Sequence, residues 1–226
     1  VSVNLTEAER PGNSLENSEW GLKWSGFVNG WDLTMNYLNH YHDNPVLYQE
    51  LLGGTVTVRP SYERNQLLGV SASNVFDSVT LRLEMGYNQD TFHISNNIAN
   101  NGISDSAELA SVIGLDFQGV SDAFISMQWF QSTLLDYNDS ILRHENTNTV
   151  SFLYRQNFAN ETWEWETLEL HSIESDDGLL QSKLSHMLES NLEMYIGLDI
   201  FYGASEGLYG QFYENDRLTL GVEWGI

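Results

Sequence analysis

The chain has 226 residues, 41% hydrophobic and 12% aromatic, with no cysteine and a formal charge of −23. Nine Lys and Arg among 32 Asp and Glu cannot form a phosphate-tracking surface, which argues against a nucleic-acid partner. No cysteine means no disulfide framework, thiol nucleophile or thiolate metal site, and no window approaches the ~18 consecutive apolar residues of a membrane helix.

Residues 1–18 are a polar entry segment, and from Glu19 onward apolar and polar residues alternate with period two. Strands are expected near 19–28 and 31–41, joined by Asn29-Gly30, a strong two-residue hairpin signal. A long polar connection, 42–65, follows. Gly53–Arg64 could add a membrane strand, but it reads better as an extension of that loop, strand-paired above the membrane, because Pro60 suits an edge or loop. Next come 66–76, a turn at Asp77-Ser78, and Val79–Tyr87, where Val79, Leu81, Leu83, Met85 and Tyr87 share one face. Thr80, Arg82, Glu84 and Gly86 share the other, a separation that a helix would scatter. Strands near 107–118, 122–133, 147–158 and 161–172 continue the pattern, with a β-bulge expected near Glu166 because Trp163 and Trp165 change phase with Leu168 and Leu170. Residues 178–189 fit a strand or an amphipathic helix, and their neighbours favour strand. Leu192–Tyr202 and 216–226 alternate strictly, the last one placing Leu218, Leu220, Val222, Trp224 and Ile226 on one face.

The expected strands are about 9–11 residues long, the span of a tilted transmembrane strand. Their connections alternate short (29–30, 77–78, 119–121, 159–160, 190–191) and long (42–65, 89–106, 134–146, 173–178, 203–214). Bacterial barrels alternate short periplasmic turns with long extracellular loops, whereas a soluble sandwich has no reason to. The fold expected is therefore all-β: an antiparallel up-and-down transmembrane β-barrel with about eleven or twelve strands visible, over a single domain at 1–226. Single-chain barrels use an even number of strands. Parity then makes 1–18 an extracellular-side entry segment and the whole the C-terminal portion of a longer protein.

With apolar faces toward lipid, the lumen-lining residues are Lys23, Asp32, Arg82, Glu84, Asp116, Arg155, Glu164, Glu166, Lys183, Glu193, Asp199, Arg217 and Glu223. A Lys or Arg facing hydrocarbon near the midplane costs about 2–4 kcal/mol, which favours this phase. Aromatics near strand ends, Trp20, Trp31, Tyr41, Tyr87, Phe117, Phe158, Trp163, Tyr202 and Trp224, fit belts at the headgroup levels. Aromatic cross-strand pairs in an ordinary core are the alternative. An open pore with this acidic excess would prefer cations or neutral solutes; a salt-bridge network filling the lumen is equally compatible with the residues. Acids in the loops, Asp43, Glu50, Asp90, Asp105, Asp136, Asp139, Glu174, Asp176 and Asp177, form a solvated surface or take divalent cations that bridge lipopolysaccharide.

Catalytic signals are sparse. His40-Tyr41-His42-Asp43 puts two His on one strand face, but spacing supplies no third metal ligand. Glu164 and Glu166 lie about 7 Å apart by strand rise and loosely resemble a two-carboxylate site, although lumen lining explains them with less. No nucleophile elbow, phosphate loop or dinucleotide fingerprint occurs, so neither an enzyme, a cofactor nor a metal is expected.

The run Glu9-Arg10-Pro11-Gly12-Asn13-Ser14-Leu15-Glu16-Asn17-Ser18-Glu19-Trp20-Gly21-Leu22, then Leu33–Leu38, His42–Pro45, Tyr62–Ser71 and Leu81–Tyr87, resembles a poorly characterised Gram-negative family. Its members are outer-membrane porin-like β-barrels kept as a domain of unknown function. The resemblance is best over 9–90 and generic afterwards, and it carries no catalytic residues. It implies additional N-terminal strands and, from some members, transport of hydrophobic or lipid-like compounds. Many barrels end on an aromatic read by the assembly machinery; here Ile226 is last and Trp224 stands two residues before it. The function expected is an outer-membrane channel for passive passage or uptake of small or hydrophobic solutes. Its partners would be outer-membrane lipid, lipopolysaccharide, the barrel-assembly machinery and a small-molecule solute. The rival is a structural barrel with a filled lumen whose acidic loops bind a partner or surface glycan.

Overall fold

The computed structural model describes residues 2–225, the side chain of Leu52 apart, so the alternation expected to reach Ile226 ends outside the described residues. Strands dominate: β1 (Ser2–Leu5), β2 (Trp20–Val28), β3 (Trp31–Tyr41), β4 (Val46–Leu52), β5 (Thr55–Ser61), β6 (Arg64–Phe76), β7 (Val79–Ile94), β8 (Ile103–Phe117), β9 (Ala123–Leu134), β10 (Asn146–Phe158), β11 (Trp163–Ser172), β12 (Asp177–Glu189), β13 (Leu192–Tyr202) and β14 (Arg217–Trp224). Eleven of them form one sheet in the order β14-β13-β12-β11-β10-β9-β8-β7-β6-β3-β2. Sequence neighbours are sheet neighbours throughout, except that β4 and β5 are skipped. This is the up-and-down antiparallel barrel fold expected from the period-two pattern, with a sheet that does not close among the described residues.

The skipped pair joins β1 in a separate sheet, β1-β5-β4, with β1 parallel to β5. The loop strand pairing expected within 53–64 is found at Thr55–Ser61, whereas Arg64 already opens β6 of the large sheet. Gly53 and Gly54 turn the β4–β5 hairpin with φ of +58° and +84°, a left-handed pair that residues with a Cβ resist. Pro60 stands opposite Leu47, beyond the four residues of β5 that β1 covers, where the missing N–H is tolerated. Asn29 and Gly30 likewise have φ of +51° and +87°, the mirror-image turn that matches strand twist.

Two compact units divide the chain. The first runs up to Ala72 and adds Glu84–Ser111 and Ser132–Asn146; the second comprises Ser73–Leu83, Val112–Gln131 and Thr147 onward. In the first, Val46, Ile103, Ala107, Leu134 and Ile141 are the only buried hydrophobic side chains among the described residues. Val46, Ile103 and Leu134 stand at strand ends, Ala107 four residues inside β8, and Ile141 in the β9–β10 connection.

In the second unit, register runs from strand to strand across β10–β14. Residues 163–172 pair without interruption with both β10 and β12. The β-bulge expected near Glu166 is thus absent, and the phase change has another cause. Leu168 and Leu170 stay on the face of Glu164 and Glu166, opposite Leu153 and beside Leu179. The irregularity falls instead between Met187 and Glu189 in β12, at its short-turn end. Residues 177–189 are strand, as their neighbours required.

Candidate functional site

Residues directly opposite on antiparallel strands share a face, so register sorts the side chains of β10–β14 into two sets. One set holds Arg155, Glu164, Glu166, Lys183, Glu193, Asp199, Arg217 and Glu223, interleaved with Gln181, Tyr195, Gly197 and Gly221. The other holds Phe158, Trp163, Trp165, Leu184, Met194, Ile196, Leu198, Leu218, Leu220 and Trp224. In β2 and β3 the same sorting puts Lys23 opposite Asn36 and Asp32 opposite Phe27, away from Trp20, Leu22, Trp24, Trp31, Met35 and Tyr41. Tyr87 and Phe117 carry the apolar parity of their own strands, opposite in parity to Arg82, Glu84 and Asp116.

The apolar set is left bare. Leu220 is 75% exposed, Trp24 57% and Ile196 42%. A soluble sandwich of these strands would bury that face between sheets.

Charges on the opposite face pair across strands. Arg155 Nε donates to Glu166 Oε2 at 2.7 Å, its Nη2 donates to the same oxygen, and Glu164 stands 4.0 Å away. Arg217 Nε donates to Asp199 Oδ2 at 2.7 Å, while Gln181 Nε2 donates to Asp199 Oδ1 at 2.9 Å. Lys183 lies 3.4 Å from Glu193, and Arg82 Nη2 donates to Asp116 at 2.8 Å. Half-exposed pairs of this kind are each worth about 0–1 kcal/mol. Their stronger effect is to fix where each charge stands. Glu223 is directly opposite Glu193, which lies within reach of Lys183.

Glycines shape the face. A Cβ on Gly221 would come within 2.2 Å of Tyr195 Cζ, so the phenol lies flat where Gly221 has no side chain. The Lys183 ammonium sits 4.5 Å over the same ring, a cation–π contact. Gly197, between Lys183 and Thr219 in register, leaves the floor of a 270 Å³ cavity walled by Glu166, Gln181, Lys183, Tyr195, Asp199 and Arg217. Gln181, Tyr195 and the two glycines were not singled out from sequence. Their signal was parity, since each alternates in step with the charges.

The aromatics meet varied surroundings. Trp163 stacks on Phe158 at 6.1 Å and on His186 at 4.2 Å, at the short-turn end of β10–β12. Tyr202, at the other end, donates to Glu169 at 3.3 Å. Tyr41 is claimed by its own unit: Arg64 sits 4.5 Å over its ring and its hydroxyl donates to Asn17 at 3.0 Å. Arg64 also donates to the Glu16 carbonyl at 2.6 Å, clasping the entry segment onto β3 and β6.

No group of three or more His, Cys, Asp or Glu converges on a metal-binding geometry among the described residues. His40 Nδ1 bonds the Tyr41 carbonyl at 2.7 Å and His42 Nε2 the Asp90 carbonyl at 2.8 Å. Several loop acids are internal acceptors. Glu174 takes the Asn148 backbone and side-chain amides, both at 2.6 Å, and Asp136 takes the Ala107 N–H at 3.4 Å. Asp177 is wholly buried.

No curated protein matches the chain. Among solved structures, Salmonella typhi OmpF in complex with daunomycin superposes with a TM-score of 0.59 at 10% identity, over 90% of this chain and 61% of that one. A KdgM porin in complex with disordered oligogalacturonate matches at 12% identity, over 92% of each chain, with a TM-score of 0.37. The OmpF likeness shows a shared barrel fold; this chain spans 61% of the OmpF chain. Residues 2–154, more than half of the chain, match the model of the family described as a protein of unknown function (DUF1302), and the chain belongs to that family.

Proposed function

We propose that the protein is a bacterial outer-membrane channel, one barrel domain over 1–226, that passes small solutes passively. One observation carries the reading: apolar side chains stay exposed on one face while the charges of neighbouring strands share the other. A sheet so built needs lipid against its first face and water or counter-charge against its second. The apolar set and the aromatic belt of Trp20, Trp31, Tyr41, Tyr87, Phe158, Trp163, Tyr202 and Trp224 then meet outer-membrane lipid and lipopolysaccharide. Lys23, Arg82, Glu84, Asp116, Arg155, Glu164, Glu166, Lys183, Glu193, Asp199, Arg217 and Glu223 line the lumen. Residues 1–18 enter from the extracellular side, and insertion falls to the barrel-assembly machinery. Nothing in the site supports catalysis. Across β10–β14, three cations face five acids, which favours cations or neutral solutes over anions.

Planar-bilayer recording tests this. Step conductances with a cation-directed reversal potential in a salt gradient are expected; strong anion selectivity contradicts the proposed lining. The second reading, a filled structural barrel, draws support from the paired Arg155–Glu166 and Arg217–Asp199 and from Leu153, Leu168, Leu170 and Leu179 on the charged face. A reconstituted protein that inserts without conducting would favour it.

A further inference from the structure

A cavity of about 580 Å³ lies wholly within the unit that carries the small sheet, a volume in the range of small-molecule sites. Its polar wall comes from the long-loop ends of β3, β6 and β7. There Asn65, 2% exposed, donates to Asn88 Oδ1 at 2.9 Å and to His40 Nε2 at 3.4 Å, and accepts the Asp90 N–H at 3.2 Å. Its apolar wall is Val46, Leu47, Leu67, Phe92, Ile94 and Ile103. Leu47 and Ile94 are also exposed, at 46% and 57%, so the greasy wall reaches the surface.

The charges around the cavity narrow its occupant. No Lys or Arg lines it, and its two carboxylates are Asp43 and Glu108. Glu108 is already engaged by Arg143 at 3.0 Å and by the Ser132 hydroxyl. A fatty carboxylate would enter against like charge and find no cation. An ammonium would find Glu108 already paired and, of the two acids, only Asp43 at the solvent-exposed rim left to meet it. His42 Nε2 bonds the Asp90 carbonyl, so in the neutral ring that donates there Nδ1 is the acceptor. Asn88, whose Oδ1 is taken by Asn65, keeps its Nδ2–H as a donor. An acceptor and a donor in a lining that also holds aliphatic side chains are the complement of a hydroxyl on an apolar body.

We infer that this cavity binds an uncharged, hydroxyl-bearing amphiphile, held at the long-loop end of the strands before passage. The last clause rests on the channel reading; the binding does not.

The test uses the full chain in lipid nanodiscs with two photoreactive probes of equal chain length, a dodecanol and a dodecanoate, each bearing a diazirine in mid-chain. Peptide mapping is expected to find labelling by the alcohol within 43–47 and 88–94 that excess unlabelled dodecanol removes. Labelling by the carboxylate there should be at least about tenfold weaker, as expected for a buried charge without a partner. Leu67→Trp, which fills the cavity, should abolish the competable fraction. Should that variant fail to fold, Asn88→Asp, which replaces the donor by an acceptor, should weaken the alcohol signal without affecting labels on the lipid-facing strands. Carboxylate labelling equal to or above that of the alcohol, stronger labelling by a dodecylammonium probe, or label confined to lipid-facing residues would overturn the site. Conductance is recorded on the same samples: a silent barrel that still shows competable labelling removes the channel and keeps the site, whereas a conducting barrel without it removes the site alone.

Discussion

Asp177 holds the last long loop through Tyr209: its Oδ2 accepts the Tyr209 backbone N–H at 2.6 Å and that of Gly210 at 3.0 Å. The carboxylate is 0% exposed, and Ser175 donates to its other oxygen. A Cβ on Gly207 would stand 2.4 Å from Oδ2, and Gly203, at φ +108°, packs against the Asp177 backbone, so glycine is required at both. Asp177→Ala leaves the buried Gly210 amide and the part-buried Tyr209 amide without this acceptor, a loss of about 1–3 kcal/mol. Hydrogen exchange at Tyr209 and Gly210 should accelerate about tenfold or more while β10–β13 amides stay protected. Unchanged exchange in 203–213 would show that the loop is held by something else.

The apolar face predicts an asymmetric response to charge. Leu220→Arg puts a cation on the exposed apolar set and should cost about 2–4 kcal/mol if it lies near the bilayer midplane. Thr219→Arg, one residue away on the charged face, should cost much less. Urea titration of folding into liposomes compares them; equal losses would refute the assigned phase.

Gly221→Val drives a side chain into the Tyr195 ring and should destabilise by about 1–3 kcal/mol, the usual range for overpacking. Tyr195→Ala in the same chain should restore most of that loss. Independent, additive effects in this double-mutant cycle would mean that ring and glycine do not meet.

Arg217→Gln frees Asp199 from its guanidinium and raises the acidic excess of the charged face. In bilayers the cation-to-anion permeability ratio should rise roughly twofold, by the charged-lining logic of pores. A shift toward anions would move Arg217 off the conduction path.

Tyr48, in the small sheet, has its phenol pushed up to about 12, first by burial and then by Glu63, to which it donates a hydrogen bond at 3.2 Å. The folded state keeps the proton longer than an unfolded tyrosine with its ordinary value near 10. Its stabilising contribution is therefore complete below pH ~10 and lost as pH climbs toward 12. Ultraviolet titration should show a late phenolate component that Tyr48→Phe removes and Glu63→Gln brings to lower pH.

What the sequence made legible was parity. Alternation placed Arg82, Lys183, Arg217 and their acids on one face because period two needs no knowledge of partners. Alternation also misled at 161–172. Leu168 and Leu170 sit on the charged face beside Leu153 and Leu179, and a pattern that equates apolar with outward must invent a bulge to explain them. Pairings far apart in the chain left no local trace. The parallel contact of β1 with β5, the Arg64 clasp on Glu16, and the cavity joining 40–47 to 88–94 depend on loops returning to distant strands. Asp177 looked like one more solvated loop acid, since nothing local distinguishes a carboxylate that will meet two amides more than thirty residues away.

The scarcity of buried hydrocarbon in this protein has a thermodynamic consequence. With Val46, Ile103, Ala107, Leu134 and Ile141 as the enclosed apolar residues among those described, folding hides little grease inside the polypeptide itself. In the outer-membrane setting proposed above, the surrounding acyl chains supply that shelter, which makes host thickness a stability variable: a mismatch costs fractions of a kcal/mol per ångström. Melting temperature should therefore follow the chain length of the lipid in which the strands are embedded, with an optimum where the acyl layer equals the height of the exposed Leu, Ile and Trp band.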